Sequence, residues 1–159
     1  VDWRRGGGGM SRIYLASSWR NEGQPRLVRL LRDEGHEVYD FRNPAAGNDG
    51  FHWSSIDGGW KTWTPERYRQ ALSHPVAEEG FRFDFDAMNW ADTCVLLLPC
   101  GRSAHLELGW AIGAGKRSAI LMNGQSEPEL MYKLADAICL NEDELFGWLW
   151  TAPLHAEAR

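Results

Sequence analysis

The chain has 159 residues, enough for one domain with a full core. Its hydrophobic share of 43% and charged share of 25% are ordinary globular values, and a net charge of -5 argues against a nucleic-acid-binding surface while leaving room for a local cluster of donors around one small anion. No apolar run approaches membrane-spanning length and no signal peptide is visible; Cys94, Cys100 and Cys139 have neither paired metal spacing nor an even disulfide count, so a cytoplasmic location is expected.

Residues 1–9, which include the run Gly6-Gly7-Gly8-Gly9, have no periodicity and read as a flexible leader foreign to the fold; Met10 then opens a clean strand. Residues 13–16 form a short β-favouring strand, and 17–21 the loop after it. Residues 24–34 carry Leu27, Leu30 and Leu31 at three- and four-residue spacing with Val28 beside them, an amphipathic helix that Gly35 ends. Residues 37–41 read as the second strand, broken at Arg42-Asn43-Pro44.

Residues 44–64 mix glycines with Phe51, Trp53, Trp60 and Trp63, large anchors among hinges, which suggests a lid or an oligomer contact. Nine tryptophans are more than core packing of such a chain asks for. Two readings stand side by side: packing and partner contacts, or a pocket wall that stacks on a flat ligand. Pro65 after Thr64 starts a helix over 65–73, stopped by His74-Pro75. A second helix, less regular near Gly80, spans 76–91, carries Asp84 and Asp86, and is closed by Asp92.

Residues 93–98 are apolar on both faces, as at the centre of a parallel sheet. The run breaks at Pro99 and Gly101, and a helix over 103–115 follows, with Glu107 expected in its first turn or so. Residues 117–122 read as the fourth strand, 127–135 as a helix opening Glu-Pro-Glu, and 137–140 as a fifth strand. Asn141 or Asp143 caps a last helix over 144–150, and 151–159 carry no structural signal.

Strands alternating with helices predict a single α/β domain over 10–150, a parallel sheet covered on both faces. The simplest topology is a flavodoxin-like three-layer sandwich with five strands in the order 2-1-3-4-5. Its switch point, between the first and third strands, is where such folds bind ligands. The loops meeting there are 17–21 and 99–103, so topology sets Ser17, Ser18, Trp19 and Arg20 opposite Glu107.

A carboxylate near a helix N-terminus stays ionised, and an ionised carboxylate suits an oxocarbenium-like sugar centre as nucleophile or stabiliser. The bland alternative is a surface Glu serving the helix dipole. Against it, Ala104, Leu108 and Ala111 form one apolar face beside Glu107, and Gly109 and Gly113 allow close approach to the sheet. Asp84 and Asp86 offer a second group to assist a leaving base, although spacing alone favours two solvated acids in the first turns of a helix. Ser17, Ser18 and Arg20 make a donor-rich loop able to hold a phosphate. Gly113-Ala114-Gly115-Lys116 looks like part of a phosphate loop but ends a helix, where the dipole is wrong for anions, so it reads as a C-cap. A lone His105 is read as neither base nor ligand, and neither a metal cluster nor a Ser-His-Asp order is present in the sequence.

Taken in order, Arg12-Ile13-Tyr14-Leu15-Ala16, then Asp84 with Ala91-Asp92 before an apolar strand, then Glu107-Leu108-Gly109 and Gly115-Lys116 resemble the nucleoside 2-deoxyribosyltransferases and the related 2'-deoxynucleoside 5'-phosphate N-hydrolases. The similarity runs from about Ser11 to Met122. It implies a flavodoxin-like fold and cleavage of an N-glycosidic bond through a covalent glycosyl-enzyme intermediate, with no cofactor or metal. It implies Glu107 as nucleophile and Tyr14 near it. Asp84, eight residues before Asp92, matches the Asp that contacts the base and manages the proton; Asp86 fits that spacing less well. Trp19 falls where the transferases carry a pocket Trp, and Ser18 and Arg20 where the phosphate-using hydrolases carry phosphate contacts.

Both branches place an Asp or Ser about two turns before the nucleophile. Here that position is Gly101, with Arg102 or Ser103 as possible substitutes. The Trp-rich segment over 51–63 is longer than in the family. The resemblance also implies a homo-oligomer whose neighbours complete the pocket, with Asn123 only a candidate residue from the unmatched end. The expected partner is a small nucleoside or nucleotide, with Ser18 and Arg20 leaning towards hydrolysis of a monophosphate. Two other readings remain open: a non-catalytic nucleotide-binding sensor, and a hydrolase of a larger N-glycoside such as NAD that uses the tryptophans as a stacking wall.

Overall fold

The computed structural model describes residues 8–151, so the expected leader and tail fall outside the described residues except for Gly8, Gly9 and Thr151. The elements run β1 (Arg12–Ala16), α1 (Gln24–Asp33), β2 (Glu37–Tyr39), α2 (Pro65–Ala71), α3 (Pro75–Trp90), β3 (Thr93–Leu97), α4 (Arg102–Gly113), β4 (Arg117–Leu121), β5 (Ala137–Cys139) and α5 (Glu142–Leu149). Short 3-10 turns occupy Trp53–Ser55, Trp60–Thr62 and Leu130–Leu134. The five strands form one parallel sheet in the order β2-β1-β3-β4-β5, the flavodoxin-like arrangement expected from the alternation of elements. No helix among the described residues is long and apolar enough to cross a membrane.

Two compact units divide the described chain: residues 8–39 with 90–151, and residues 40–89. The first holds the sheet. All five β3 residues are buried, which explains why that run is apolar on both faces. Ile13, Leu15, Val95, Leu97, Ala119 and Leu121 point to one face and pack with Leu27, Val28 and Leu31 of α1 and with Leu145 and Leu149 of α5. Each fully buried Leu or Ile there contributes about 1.5–3 kcal/mol. Gly35 ends α1 at φ 96, a conformation that costs a side chain but not glycine.

At α5 the cap is Asn141: its Oδ1 accepts from the Glu144 N–H at 2.9 Å, and the Glu144 carboxylate reaches back to the Leu140 N–H at 2.8 Å. The helix therefore begins at Glu142, earlier than its apolar spacing suggested. Its far end is closed by Arg117, whose guanidinium donates to the carbonyls of Trp148 (3.0 Å) and Leu149 (3.3 Å) and lies 4.3 Å over the Trp148 ring.

Two expectations are corrected. Residues 127–135 do not form an α-helix; only the 3-10 turn Leu130–Leu134 is present. Leu130 and Met131 are 77% and 64% exposed, so apolar spacing here has no core to bury against, and a helix this short does not stand unaided. Pro75 does not merely stop the preceding helix: α2 ends at Ala71 and Pro75 opens α3.

The second unit is built on aromatic contacts. Trp53 meets Phe51, Trp63 and Tyr68 edge-on at 4.7, 5.7 and 5.8 Å between ring centroids. The Trp63 indole donates to Asp57 Oδ2 at 2.8 Å and the Gly59 N–H to Asp57 Oδ1 at 2.9 Å; these bonds hold the Asp57 carboxyl below its usual range. Phe51 in turn lies against α3 at Gly80, where a methyl group would come within 2.9 Å of its Cβ and ring. The irregular look of Gly80 within a helical pattern has this packing cause. Residues 51–68 are thus an ordered cluster in which Trp53 and Trp63 pack on each other.

Buried His36 gives the sheet unit a pH dependence. Its Nδ1 accepts from the Ser11 N–H at 3.1 Å, which fixes the neutral ring, and it lies 4.9 Å from the Trp150 ring. Burial lowers its pKa below the ordinary 6.5, outweighing attraction from Asp92, with Arg117 adding to the fall. The unfolded chain then takes up a proton as pH falls through 6.5 while the folded chain resists it, so stability declines towards acid. Urea unfolding at pH 7 and pH 5 should show a smaller acid loss for His36→Gln than for the parent; equal losses would remove His36 as the cause.

Candidate active site

The loops leaving β1 and β3 meet at the carboxyl edge of the sheet and are joined by side-chain bonds. Ser17 Oγ donates to the Leu97 carbonyl at 3.1 Å, and Asn21 Nδ2 donates to the Pro99 carbonyl at 3.1 Å. Asn21 Oδ1 accepts from the Gly23 N–H at 3.0 Å, an Asx turn that aims the side chain. Ser18 Oγ accepts from the Arg20 N–H at 3.2 Å, and the Ser18 carbonyl from the Asn21 N–H at 3.0 Å. This tight turn leaves Trp19 40% exposed and Arg20 exposed. Asn21 joins the two loops, a role the sequence did not reveal; its only local signal is the Gly two residues on.

On the β3 side, Leu98–Pro99 is a cis peptide and Gly101 is the N-cap of α4. Gly101 has φ -93 and ψ -165, extended backbone open to any residue, and an added Cβ would meet nothing within 4 Å. No side chain caps the helix there. Arg102 and Ser103 are exposed at its start. Arg20 and Arg102 put two exposed guanidinium groups on these loops, with the carboxylates of Glu22 and Glu107 just beyond them in the sequence.

Glu107 lies in the second turn of α4; the first turn holds no acid. The helix dipole fades within a turn, so it contributes less to Glu107 than first-turn placement implied. Packing defines the position instead. α4 lies over β3 and reaches β4 and β1, burying Ala104, Leu108 and Ala111. The strand alternation that turns Ile13 and Val95 to one face turns Tyr14 and Cys94 to the other. Tyr14 is paired in register with Cys94, is only 2% exposed, and stacks on Tyr39 at 5.4 Å. Glu107 is half-buried, and its charge acts on two thiols: burial first and Glu107 second push Cys94 far up and Cys100 to about 11. Tyr14, Ser17, Glu107 and the two loops therefore belong to one edge of one unit.

Asp84 and Asp86 lie in the second unit, on α3. They are not first-turn acids, since α3 opens at Pro75 and its first-turn acid is Glu78. Asp84 is half-buried and Asp86 exposed. Gly115 has φ 76 just beyond α4, so the glycines before Lys116 do form a helix end. Among the described residues no group of three or more His, Cys, Asp or Glu is placed to hold a metal ion.

The sequence matches no protein-family model, and no curated protein matches it. Solved structures do. A 2-deoxyribosyltransferase from Bacillus psychrosaccharolyticus matches at 20% identity with a TM-score of 0.61, over 84% of this chain and 89% of that one. The CMP N-glycosidase of Clostridium botulinum matches at 18% identity with a TM-score of 0.47, over 86% and 96%. At the higher of these scores the chain shares its fold with the 2-deoxyribosyltransferase structure.

Proposed function

We propose that the protein cleaves the N-glycosidic bond of a nucleoside 5'-monophosphate, with retention, through a glycosyl ester on Glu107. A Glu107 oxygen attacks C1', the C1'–N bond breaks, and its electron pair leaves with the base, which gains a proton. Water then attacks C1', giving its proton to the carboxylate that the general acid has become, and Glu107 departs as a carboxylate. The family resemblance assigns the proton on the base to Asp84. The observation that carries this reading is the surroundings of Glu107: half-buried on the Tyr14 and Cys94 face of the sheet, about one turn inside α4, with exposed Arg20 and Arg102 on the two loops of the same edge. A carboxylate with guanidinium groups on the adjoining loops suits a sugar carrying a phosphate. Ser18 and Ser103 supply hydroxyls on the two loops, and the side of Gly101 where a Cβ would stand is open.

The deoxyribosyltransferase of the same fold acts at the same class of bond, which supports bond class but leaves the acceptor open. The NAD reading relied on free tryptophan faces, whereas Trp53 and Trp63 pack on each other. Exposed Leu106, Leu130, Met131 and Leu140 give the homo-oligomer implied by the resemblance an apolar surface to use.

A panel of nucleosides and their 5'-monophosphates, with and without a second base, tests the reading. Free base and phosphorylated sugar from the monophosphates, with no need of an acceptor, is the expected outcome. Preference for unphosphorylated nucleosides with an acceptor would point to a transferase, and tight nucleotide binding without base release to a sensor.

A further inference from the structure

One cluster beside this edge has a defined bonding pattern and no role in the reaction above. His105 Nδ1 lies 2.8 Å from the Gly101 carbonyl, and its Nε2 lies 2.8 Å from the Tyr132 hydroxyl. A carbonyl only accepts, so Nδ1 carries the proton; Nε2 is then a lone-pair acceptor, and the Tyr132 O–H donates to it. The rings also stack, 5.7 Å apart at 16°. The Cys100 sulfur lies 3.7 Å from Nδ1 as a weaker neighbour. Burial, with Cys100 and Glu129 adding to it, raises the Tyr132 pKa and keeps its proton in place.

The pattern has two consequences. The Leu130–Leu134 turn exposes its leucines and methionine, so Tyr132 is its polar anchor to α4. The turn of residues 99–101 is held from both sides, by Asn21 at the Pro99 carbonyl and by His105 at the Gly101 carbonyl. That turn sets where the first N–H groups of α4 point.

We propose that His105 and Tyr132 are positioning residues, a hydrogen-bonded pair that fixes residues 99–101 and thereby the start of α4 against the 5'-phosphate of the substrate. The proposal rests on the monophosphate reading above. Neither residue touches the reacting atoms. Loss of the pair loosens phosphate binding and spares chemistry at C1'.

The test compares a deoxynucleoside 5'-monophosphate with its matching deoxynucleoside. Tyr132→Phe keeps the ring and removes the donor; it should raise KM for the monophosphate about fivefold to tenfold, leave kcat within about twofold, and leave kcat/KM for the nucleoside unchanged. His105→Asn should give the same selective loss. A KM ratio between the two substrates equal to the parent's in both variants, or a uniform fall in kcat, overturns the proposal. Amide hydrogen exchange judges the clamp apart from catalysis: residues 100–104 should exchange faster in Tyr132→Phe, and unchanged exchange overturns it as well. A parent enzyme that releases no base from any nucleotide counts against the functional reading, and the exchange result still decides the clamp.

Discussion

Replacing Glu107 with Gln should lower base release by about 10⁴-fold or more, the scale of losing a nucleophile that no neighbour replaces. The side chain keeps its volume and its place on α4, so the fold should persist, and circular dichroism and melting temperature should match the parent. An amide oxygen is a poor nucleophile and cannot form the ester. A second readout comes from the thiols. Glu107 adds to the burial that pushes Cys100 to about 11, so removing its charge should bring the Cys100 titration partway down. Thiol reactivity measured across pH 8–11 follows this directly. Full base release in Glu107→Gln would sink the nucleophile assignment, and an unchanged Cys100 titration would mean the carboxylate does not face that loop.

Asp84→Asn should lower base release by about 10²–10⁴-fold, the usual span for a general acid. Asn can hydrogen-bond to a base but cannot hand it a proton, so the loss belongs to the leaving step. It should shrink for substrates whose base leaves easily, because protonation matters less there. Comparing an ordinary purine or pyrimidine with an analogue bearing a better leaving group measures this. An equal loss for both, or none, would show that Asp84 manages no proton. Asp86→Asn, exposed on the same helix, should have little effect and serves as the control.

The fold was legible because each strand carries its own signal. Residues 93–97 are apolar on both faces and lie at the sheet centre, and the alternation with helices fixes a parallel order. The apolar stripe of Leu27, Val28 and Leu31 is the buried stripe of α1. Where spacing misled, burial was the missing quantity: 127–135 has apolar residues at helical intervals but no surface to bury them against. The site was legible in part. The switch point brings the 17–21 and 99–103 loops together as topology required. The bonds that hold them were not readable, because Asn21 reaches the Pro99 carbonyl across 78 residues and His105 reaches Tyr132 across 27. Reading the helix from Ser103 puts Glu107 nearer its start; the helix begins at Arg102, and Glu107 falls in the second turn.

The central claim is a covalent bond between Glu107 and the anomeric carbon. A 2'-fluorinated nucleoside 5'-monophosphate slows breakdown of such an ester, and intact mass followed by peptide mapping locates it. The account predicts one added phosphosugar per chain on the peptide containing Glu107, absent in Glu107→Gln. Base release from the parent with no adduct under conditions that slow the second step, or an adduct on another residue, would contradict it.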